Sequence, residues 1–243
     1  MDQALRRAMA PNADEIAALS LSSHAEIVKE LLGGKGSSAL DVGCGAGTFT
    51  WLLAPLFQRL TGLDVKERQI AEARETAKTK GLDIDFRVGS AEAMPFPDAS
   101  FDVVVFSNSL HHIPGMDRAL AEAARVVKPG GLVYAMEPVP AGNFFAATRL
   151  VNDETEIRTE AWRALSDAAG LAAVAERLYR ARRAYNNVEE WRDDQIARDP
   201  KRGALFTAHE AEVRRLFVAE AQHENGKLVF DQVSRVNVLR KIG

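Results

Sequence analysis

Short apolar segments alternate with amphipathic helical segments five times between residues 37 and 138. The apolar segments are brief and continuous, as in FDVVVF at 101–106, which is typical of strands buried on both faces of a parallel sheet. Gly81 ends one helical segment, and the run Pro129–Gly131 ends another. Because crossovers between parallel strands are right-handed, the alternation predicts an α/β fold with a doubly wound, Rossmann-like, mostly parallel sheet and helices on both faces.

The regular alternation stops after residue 138. Helical spacing predicts helices near residues 153–169, 188–197 and 209–220, and the valine-rich segment Lys227–Lys241 is typical of a terminal strand. Residues 174–185 leave two interpretations open, because their composition favours a helix whereas the run LYRARRAY can pair as an outer strand. Counted with the outer and terminal strands, the predicted sheet has seven strands.

The 243-residue chain has a formal net charge of −3, a pI near 6.0 and a single cysteine. This charge argues against a nucleic-acid partner, and one cysteine excludes an intrachain disulfide and a multi-cysteine zinc site. No segment resembles a signal peptide or reaches the roughly 20 apolar residues that cross a bilayer, so a cytoplasmic protein without membrane contact is expected. The sequence leaves a homodimer open. The cluster of Arg180, Arg182 and Arg183 is interpreted first as a solvated face and second as an anion-binding patch.

The glycine-rich run DVGCGAG at 41–47 follows a buried strand and opens a helix. Glycines at such a turn let the chain reverse tightly and let a ligand approach the backbone. The dinucleotide fingerprint G-x-G-x-x-G would need a glycine where Thr48 stands, whereas these glycines follow G-x-G-x-G. Asp64, 21 residues after Gly43, ends the second strand, where a carboxylate can accept hydrogen bonds from a ribose diol. Asp64 therefore indicates a ligand that contains a nucleoside, but it does not identify which such ligand is bound.

Four stretches in sequence order resemble the class I S-adenosylmethionine-dependent methyltransferases over about residues 37 to 138. They are the glycine turn, VGSAEAMPF at 88–96, FDVVV with its exit loop at 101–112, and KPGG at 128–131. The general resemblance is greatest to the small-molecule group that includes the ubiquinone and menaquinone enzymes. The second stretch departs from the usual G-D-A-E-x-L-P-F, because Ser90 stands where that family has aspartate.

The resemblance implies S-adenosylmethionine as cofactor and S-adenosylhomocysteine as product. It also implies the residues that bind the cofactor, which are Asp41, Gly43, Cys44, Gly45, Gly47, Asp64, Val65, Ser90, Ala91 and Ser107. In that family the acid before the glycines orients the methionine ammonium, directly or through water. At position 90 serine can still accept a hydrogen bond, but its side chain is shorter and uncharged, while a backbone contact at Ala91 does not depend on the side chain.

Ligands of doubly wound sheets bind beyond the carboxyl ends of the strands, so polar residues after strands four and five are expected near the acceptor. Asn108 and Glu137 are the substrate candidates, and Glu137 either orients a substrate hydroxyl or amine or pairs with an arginine. His112 and His111 are candidate general bases, with a structural or cofactor-lining role favoured. A metal site is disfavoured because consecutive side chains diverge.

We therefore expect an enzyme that transfers a methyl group to an O, N or C nucleophile of a small molecule by in-line displacement. Its predicted parts are an N-terminal helical cover at 1–36, a cofactor-binding core at 37–138, and a C-terminal part at 139–243 that completes the sheet and carries a helical substrate cap. The alternatives are an RNA or protein methyltransferase and a non-catalytic S-adenosylmethionine-binding module. The first is disfavoured by the charge and by SNSL at 107–110, which is not an N/D-P-P-F/Y motif.

Overall fold

The computed structural model of the chain describes residues 11–242, apart from the side chain of Arg198. The chain divides into two compact units. We call the larger one, residues 24–137, 157–177 and 235–242, the core unit. We call the other, residues 11–23, 138–156 and 178–234, the second unit. The predicted division at 36 and 138 stays a prediction.

The strands form one sheet with the order β3-β2-β1-β4-β5-β8-β6, and β7 pairs antiparallel with β8 beside this path. Their bounds are β1 (Ser38–Val42), β2 (Arg59–Asp64), β3 (Asp85–Val88), β4 (Phe101–Ser107), β5 (Val127–Pro138), β6 (Leu171–Tyr185), β7 (Gln222–Glu224) and β8 (Lys227–Lys241). The pairs β1–β2, β1–β4, β2–β3 and β4–β5 are parallel. The predicted seven-strand, doubly wound sheet is therefore confirmed, with the three-residue β7 added to it.

The helices alternate with the strands through the core unit, as the sequence predicts. Their bounds are α1 (Ala13–Ala18), α2 (His24–Leu32), α3 (Thr50–Leu53), α4 (Glu67–Lys80), α5 (Met116–Val126), α6 (Gly142–Thr148), α7 (Thr155–Ser166), α8 (Val188–Arg198) and α9 (Arg202–Glu220), with a 3-10 turn at Leu110–His112. None of the helices within residues 11–242 combines the length and apolar character needed to cross a membrane.

The core unit is built around β4, whose residues Val103–Phe106 are fully buried. Their continuous apolar sequence suits a central strand that is covered on both faces. Helix α5 contributes a buried apolar face, whose residues are one or three positions apart: Ala119, Leu120, Ala123 and Val126. Helix α4 ends where Gly81 takes a left-handed conformation, with φ of 65°. Packing and end signals thus agree with the pattern in the sequence.

The second unit has an aromatic core of its own. Trp191 stacks on Phe217 with ring centroids 4.9 Å apart, and Phe217 contacts Phe230 at 4.6 Å. Phe144 packs against this core through Phe230 and Tyr185. Burial of rings of this size accounts for a large part of the stabilisation of so small a unit.

The arginine cluster of the second unit is engaged with partners in the same unit. Arg180 donates to Asp231 at 3.0 Å, Arg183 donates to the side-chain oxygen of Gln232 at 2.7 Å, and Arg182 pairs with Glu224. These contacts join the edge strand β6 to its neighbour β8 and to β7, which pairs with β8. The guanidinium groups have acidic or amide partners, so they are not an unpaired cationic surface.

Candidate functional site

The glycine turn after β1 is held against the end of β2. The amides of Gly43 and Cys44 both donate to the carbonyl oxygen of Leu63, at 2.7 Å and 3.1 Å. Gly43, Gly45 and Gly47 all have positive φ, at 72°, 54° and 89°, a conformation that residues with a Cβ adopt only with strain. Three left-handed glycines in five residues explain why the run cannot continue as strand or begin as helix.

The three glycines of the turn differ in what surrounds them. A Cβ on Gly43 would lie 2.5 Å from the Ser109 side chain, and a Cβ on Gly47 would lie 2.4 Å from the Trp51 ring. A Cβ on Gly45 would meet only Gln69 Oε1, at 3.6 Å. Packing therefore requires glycine at the first and third positions, whereas Gly45 faces open space next to the turn.

Asp64 links the end of β2 to the glycine turn. Its Oδ2 accepts a hydrogen bond from the Gly45 amide at 2.9 Å, and its Oδ1 accepts one from the Lys66 amide at 2.8 Å. Each carboxylate oxygen can accept a further hydrogen bond, so two ligand hydroxyls can still be bound. The next residue, Val65, is 68% exposed, which leaves an apolar side chain uncovered next to the carboxylate.

Asp41 lies at the buried end of β1, and its carboxylate accepts a hydrogen bond from Thr50 Oγ1 at 2.6 Å. Burial raises the pKa of Asp41 to about 7, and the nearby negative charge of Asp64 adds to the increase while the Thr50 hydrogen bond opposes it. A cation bound next to this carboxyl would lower its pKa again and favour the ionised form. A cation that came next to Asp41 would therefore have to displace the proton of this carboxyl.

The loop after β3 is held by hydrogen bonds to Ser90. The Ser90 hydroxyl accepts a hydrogen bond from the Glu92 amide at 3.1 Å, and the Ser90 carbonyl accepts one from the Ala93 amide at 3.3 Å. The half-buried Ala91 sits inside this turn. The hydroxyl that replaces the family's usual aspartate therefore supports the loop, and its second lone pair is the one that a ligand could use.

Cys44 lies inside the glycine turn and is buried. Burial and the neighbouring carboxylates Asp41 and Asp64 raise the pKa of the Cys44 thiol far above its ordinary value. A thiol in that environment stays protonated, so Cys44 contributes to the turn as a small apolar side chain and not as a nucleophile.

The exit of β4 joins the glycine turn through Ser109, whose hydroxyl donates to the Val42 carbonyl oxygen at 2.6 Å. Just before it, the half-buried Ser107 ends the strand and Asn108 adopts a positive φ of 51°. The side-chain oxygen of Asn108 is buried and accepts no hydrogen bond from the described part of the chain. An unsatisfied buried acceptor is costly, so a donor from a ligand or water is expected there.

Glu137 and His111 form a buried hydrogen-bonded pair at the ends of β5 and β4. Glu137 Oε2 pairs with His111 Nδ1, and Glu137 Oε1 accepts a hydrogen bond from the Leu110 amide at 3.1 Å. The side chains of both residues are nearly inaccessible, at 10% and 2% exposure. The partner of Glu137 is thus a histidine, where the sequence left open an arginine. A carboxylate that accepts from Nδ1–H fixes the ring orientation of His111.

His112 follows on the same 3-10 turn and is exposed. Its ring lies next to that of His111, with centroids 3.9 Å apart and planes tilted by 47°. Because the turn is 3-10 and not a regular helix or strand, the two side chains do not diverge as the sequence suggested. Glu137, His111 and His112 therefore form one packed group.

All the predicted site residues lie in the core unit, at the carboxyl ends of β1 to β5. The chain order reverses between β1 and β4, and ligands of doubly wound sheets bind at such a reversal. Two supporting residues, Thr50 and Ser109, were not predicted. Their contacts with Asp41 and Val42 join residues that are nine and 67 positions apart, so no local pattern reveals them.

The segment that holds these residues matches a known family. A family model described as a methyltransferase domain covers residues 40–135. This segment is therefore similar to known methyltransferase domains. The methyltransferase domain so defined begins inside β1 and ends inside β5, so it contains the glycine turn, Asp64 and the two histidines, whereas Glu137 lies just beyond it.

Two curated relatives illustrate the match. The chain is 30% identical over 161 residues to the uncharacterized methyltransferase YcgJ of Bacillus subtilis, covering 63% of this chain and 59% of that protein. It is 38% identical over 107 residues to the ubiquinone/menaquinone biosynthesis C-methyltransferase UbiE of Brucella anthropi, covering 42% of this chain and 41% of that protein. The chain thus spans about two fifths to three fifths of the length of such relatives.

A solved structure extends the likeness beyond the methyltransferase domain. The crystal structure of the protein BH2331 from Bacillus halodurans superimposes with a TM-score of 0.66 over 91% of this chain and 100% of that chain, at 21% identity. At this identity the likeness shows a common fold and leaves the acceptor undefined.

Proposed function

We propose that this chain binds S-adenosylmethionine at the carboxyl edge of its sheet and transfers the methyl group to a small-molecule acceptor. The observation that supports this most directly is the hydrogen bond from the Gly45 amide to Asp64, next to the open space at Gly45. The Asp64 carboxylate, which we propose binds the ribose diol, thus lies next to backbone that a ligand can approach, in a segment that matches a methyltransferase domain.

The polar and apolar groups of the site fit the cofactor. Asp64 offers acceptors for the ribose hydroxyls, Val65 offers an apolar contact for the adenine ring, and the loop at Ser90 and Ala91 follows the next strand. At the other end, Asp41 offers a carboxyl to the methionine ammonium, either directly or through water. The remaining proposed contacts come from the backbone of the turn and from the end of β4, at Gly43, Cys44, Gly47 and Ser107.

When bound, the cofactor supplies a methyl carbon that is already activated by a positive sulfonium. The chain then has to position the acceptor in line, exclude water and receive a proton where the acceptor carries one. We assign proton acceptance to His112, whose exposed ring can reach an acceptor. His111 and Glu137 act as positioning residues, because the buried pair fixes the turn on which His112 stands. Asn108, with its unsatisfied oxygen, is proposed to accept a hydrogen bond from the substrate.

A base at this position suits an acceptor that carries a weakly acidic proton, above all a hydroxyl group. A small molecule is supported over RNA by the net charge of −3 and by the pairing of Arg180, Arg182 and Arg183 within the second unit. The named activities of relatives, such as quinone-pathway methylation, make quinols and phenols the first compounds to test.

The test combines calorimetric titration of the purified chain with S-adenosylmethionine and an assay for S-adenosylhomocysteine release. The acceptor panel contains quinols, phenols, small amines and a structured RNA. We expect cofactor binding in the micromolar range and turnover with at least one hydroxylated small molecule. Absence of binding at high micromolar cofactor would refute the proposal, turnover with RNA alone would replace its acceptor class, and binding without any turnover would favour a non-catalytic module.

A further inference from the structure

The second unit contains a cavity between helices α8 and α9 that shares no residue with the candidate methyl-transfer site. Its volume is about 420 Å³, and its lining residues run from Val188 to Arg214. Binding sites for small molecules in proteins have volumes of roughly 300 to 1,000 Å³. The cavity is therefore large enough for a ligand of its own.

The inner wall of the cavity is apolar. Val188, Phe206 and Val213 are buried in the same hydrophobic cluster as the aromatic core of the second unit, and the half-buried Ile196 packs against this cluster. Gly203 completes this wall from the first turn of α9. A Cβ on Gly203 would meet only Ile196 Cδ1, at 3.8 Å, so the missing side chain leaves space inside the cavity.

The rim of the cavity carries four charges that cancel. Arg214 Nη2 pairs with Glu210 at 3.0 Å, and Arg214 Nη1 pairs with Glu189 on the facing helix. Arg192, also at the rim, pairs with its neighbour Asp193 at 2.9 Å. An anionic ligand would face two glutamates and a cationic one would face two arginines, so the charge arrangement favours neither.

Helix α9 changes direction where it borders the cavity. His209 has φ of −123° and ψ of 19°, which are not helical values. The kink separates the lining residues Gly203, Phe206 and Thr207 from Glu210 and Val213. A helix bent at this point presents residues from both its halves to one ligand.

The geometry points to a binding site for one uncharged, largely apolar small molecule between α8 and α9. The apolar wall and Gly203 leave room for an apolar ligand. The two glutamates and two arginines at the rim have no net charge, so they favour an uncharged ligand over a charged one. This site goes beyond the proposed methyl transfer, because it consists only of residues of the second unit.

The test uses fluorescence of the uncharged apolar dye Nile red, titrated with the full chain without cofactor. We expect saturable binding at one site per chain. Gly203→Leu should weaken dye binding at least about tenfold, which corresponds to about 1.4 kcal/mol, because its side chain fills the cavity. The matched control is Ala208→Leu, an exposed position of the same helix outside the lining, which should leave dye binding unchanged.

A second variant, Thr207→Phe, enlarges an exposed lining residue and keeps the test valid if Gly203→Leu fails to fold. Non-saturable dye binding in the wild type, or equal binding by the wild type and both variants, would overturn the proposal. A more than tenfold preference for the anionic dye anilinonaphthalene sulfonate would overturn the uncharged class. Cofactor affinity is measured separately by calorimetry. The dye titration therefore tests the α8–α9 site even if the chain does not bind S-adenosylmethionine.

Discussion

At the scale of single residues, the two adjacent histidines of the packed group with Glu137 differ in burial and therefore in the role that each can have. His111 is buried and fixed by a carboxylate, whereas His112 is exposed and rests on the ring of His111. A buried, fixed side chain supports structure, whereas an exposed imidazole is accessible to a ligand.

We expect His112→Gln to lower turnover by about 100-fold or more, the usual loss of a general base, and to leave cofactor affinity within about twofold. The measurements are kcat with the best acceptor and the calorimetric Kd for S-adenosylmethionine. His209→Gln, an exposed histidine of the second unit, is the matched control and should change neither. If turnover and cofactor affinity fell together in His112→Gln, the residue would line the cofactor and would not be the base.

Gly45 and Gly81 form a natural pair for testing the open side of the glycine turn. Both have left-handed φ, 54° and 65°, and a Cβ on either would meet no atom closer than 3.6 Å. Valine at either position should therefore cause similar backbone strain. We expect Gly45→Val to abolish cofactor binding in calorimetry, because its side chain occupies the ligand's approach, and Gly81→Val to retain it. Equal affinity in both variants would contradict the proposed approach.

At the scale of elements, Asp102 connects three strands at their amino ends. Its Oδ2 accepts from the amides of Ser37 and Ser38, both at 2.9 Å, and its Oδ1 accepts from Lys128 Nζ at 2.7 Å. Burial acts to raise the pKa of Asp102, but the hydrogen bonds from Lys128, Ser38 and Ser37 together hold this pKa well below its usual value. A single carboxylate thus joins the starts of β1, β4 and β5.

We expect Asp102→Asn to lower the free energy of unfolding by roughly 1 to 3 kcal/mol at neutral pH, because backbone donors and Lys128 lose their charged acceptor. Since the folded pKa is depressed, this contribution is present above the unfolded pKa near 4 and is lost as pH falls below it. Urea unfolding at pH 7 and pH 3 measures both effects. The control is Asp85→Asn, whose carboxylate is half exposed, with an expected change near zero. A stability of Asp102→Asn equal to wild type at pH 7 would refute the role.

Strands and glycine stops between residues 37 and 138 could be predicted because each is encoded by a local run. The interpretation of 174–185 stayed open, since Arg and Ala suit a helix and only pairing with β8 makes this segment a strand. The predicted helix at 209–220 begins earlier, at Arg202, and bends at His209. The predicted helix after the glycine turn shortens to Thr50–Leu53.

For the candidate site, the glycine turn and Asp64 could be predicted because spacing along the chain encodes them. The pairing of His111 with Glu137 could not, because it joins residues 26 positions apart at the ends of two strands. The unsatisfied oxygen of Asn108 likewise depends on the positive φ at the end of β4. Long-range contacts of this kind become visible only when the strands are assembled.

At the scale of the whole molecule, Asp41 couples stability to pH. Its folded pKa, about 7, is raised above the unfolded value of 3.8, so the folded state binds more protons between these pH values. Stability should therefore fall as pH rises from about 4 to 7. The total contribution is on the order of 4 kcal/mol, since each pKa unit corresponds to about 1.4 kcal/mol.

We expect Asp41→Asn to remove most of this pH dependence and to unfold at higher urea than wild type at pH 8. Urea unfolding between pH 5 and pH 8 provides the comparison, and the exposed Asp85→Asn serves again as control. A wild-type and an Asp41→Asn curve that run parallel across this range would exclude a raised pKa at Asp41.

The raised pKa of Asp41 predicts that binding of a cationic cofactor at the proposed site releases a proton. Near neutral pH this carboxyl is protonated in a large fraction of molecules, since its pKa is about 7. A bound cation would displace that proton, so uptake of a positively charged cofactor would leave the charge of the pocket nearly constant. The heat of binding should then depend on the ionisation enthalpy of the buffer that receives the proton. A heat of binding that is the same in buffers of different ionisation enthalpy would contradict this prediction.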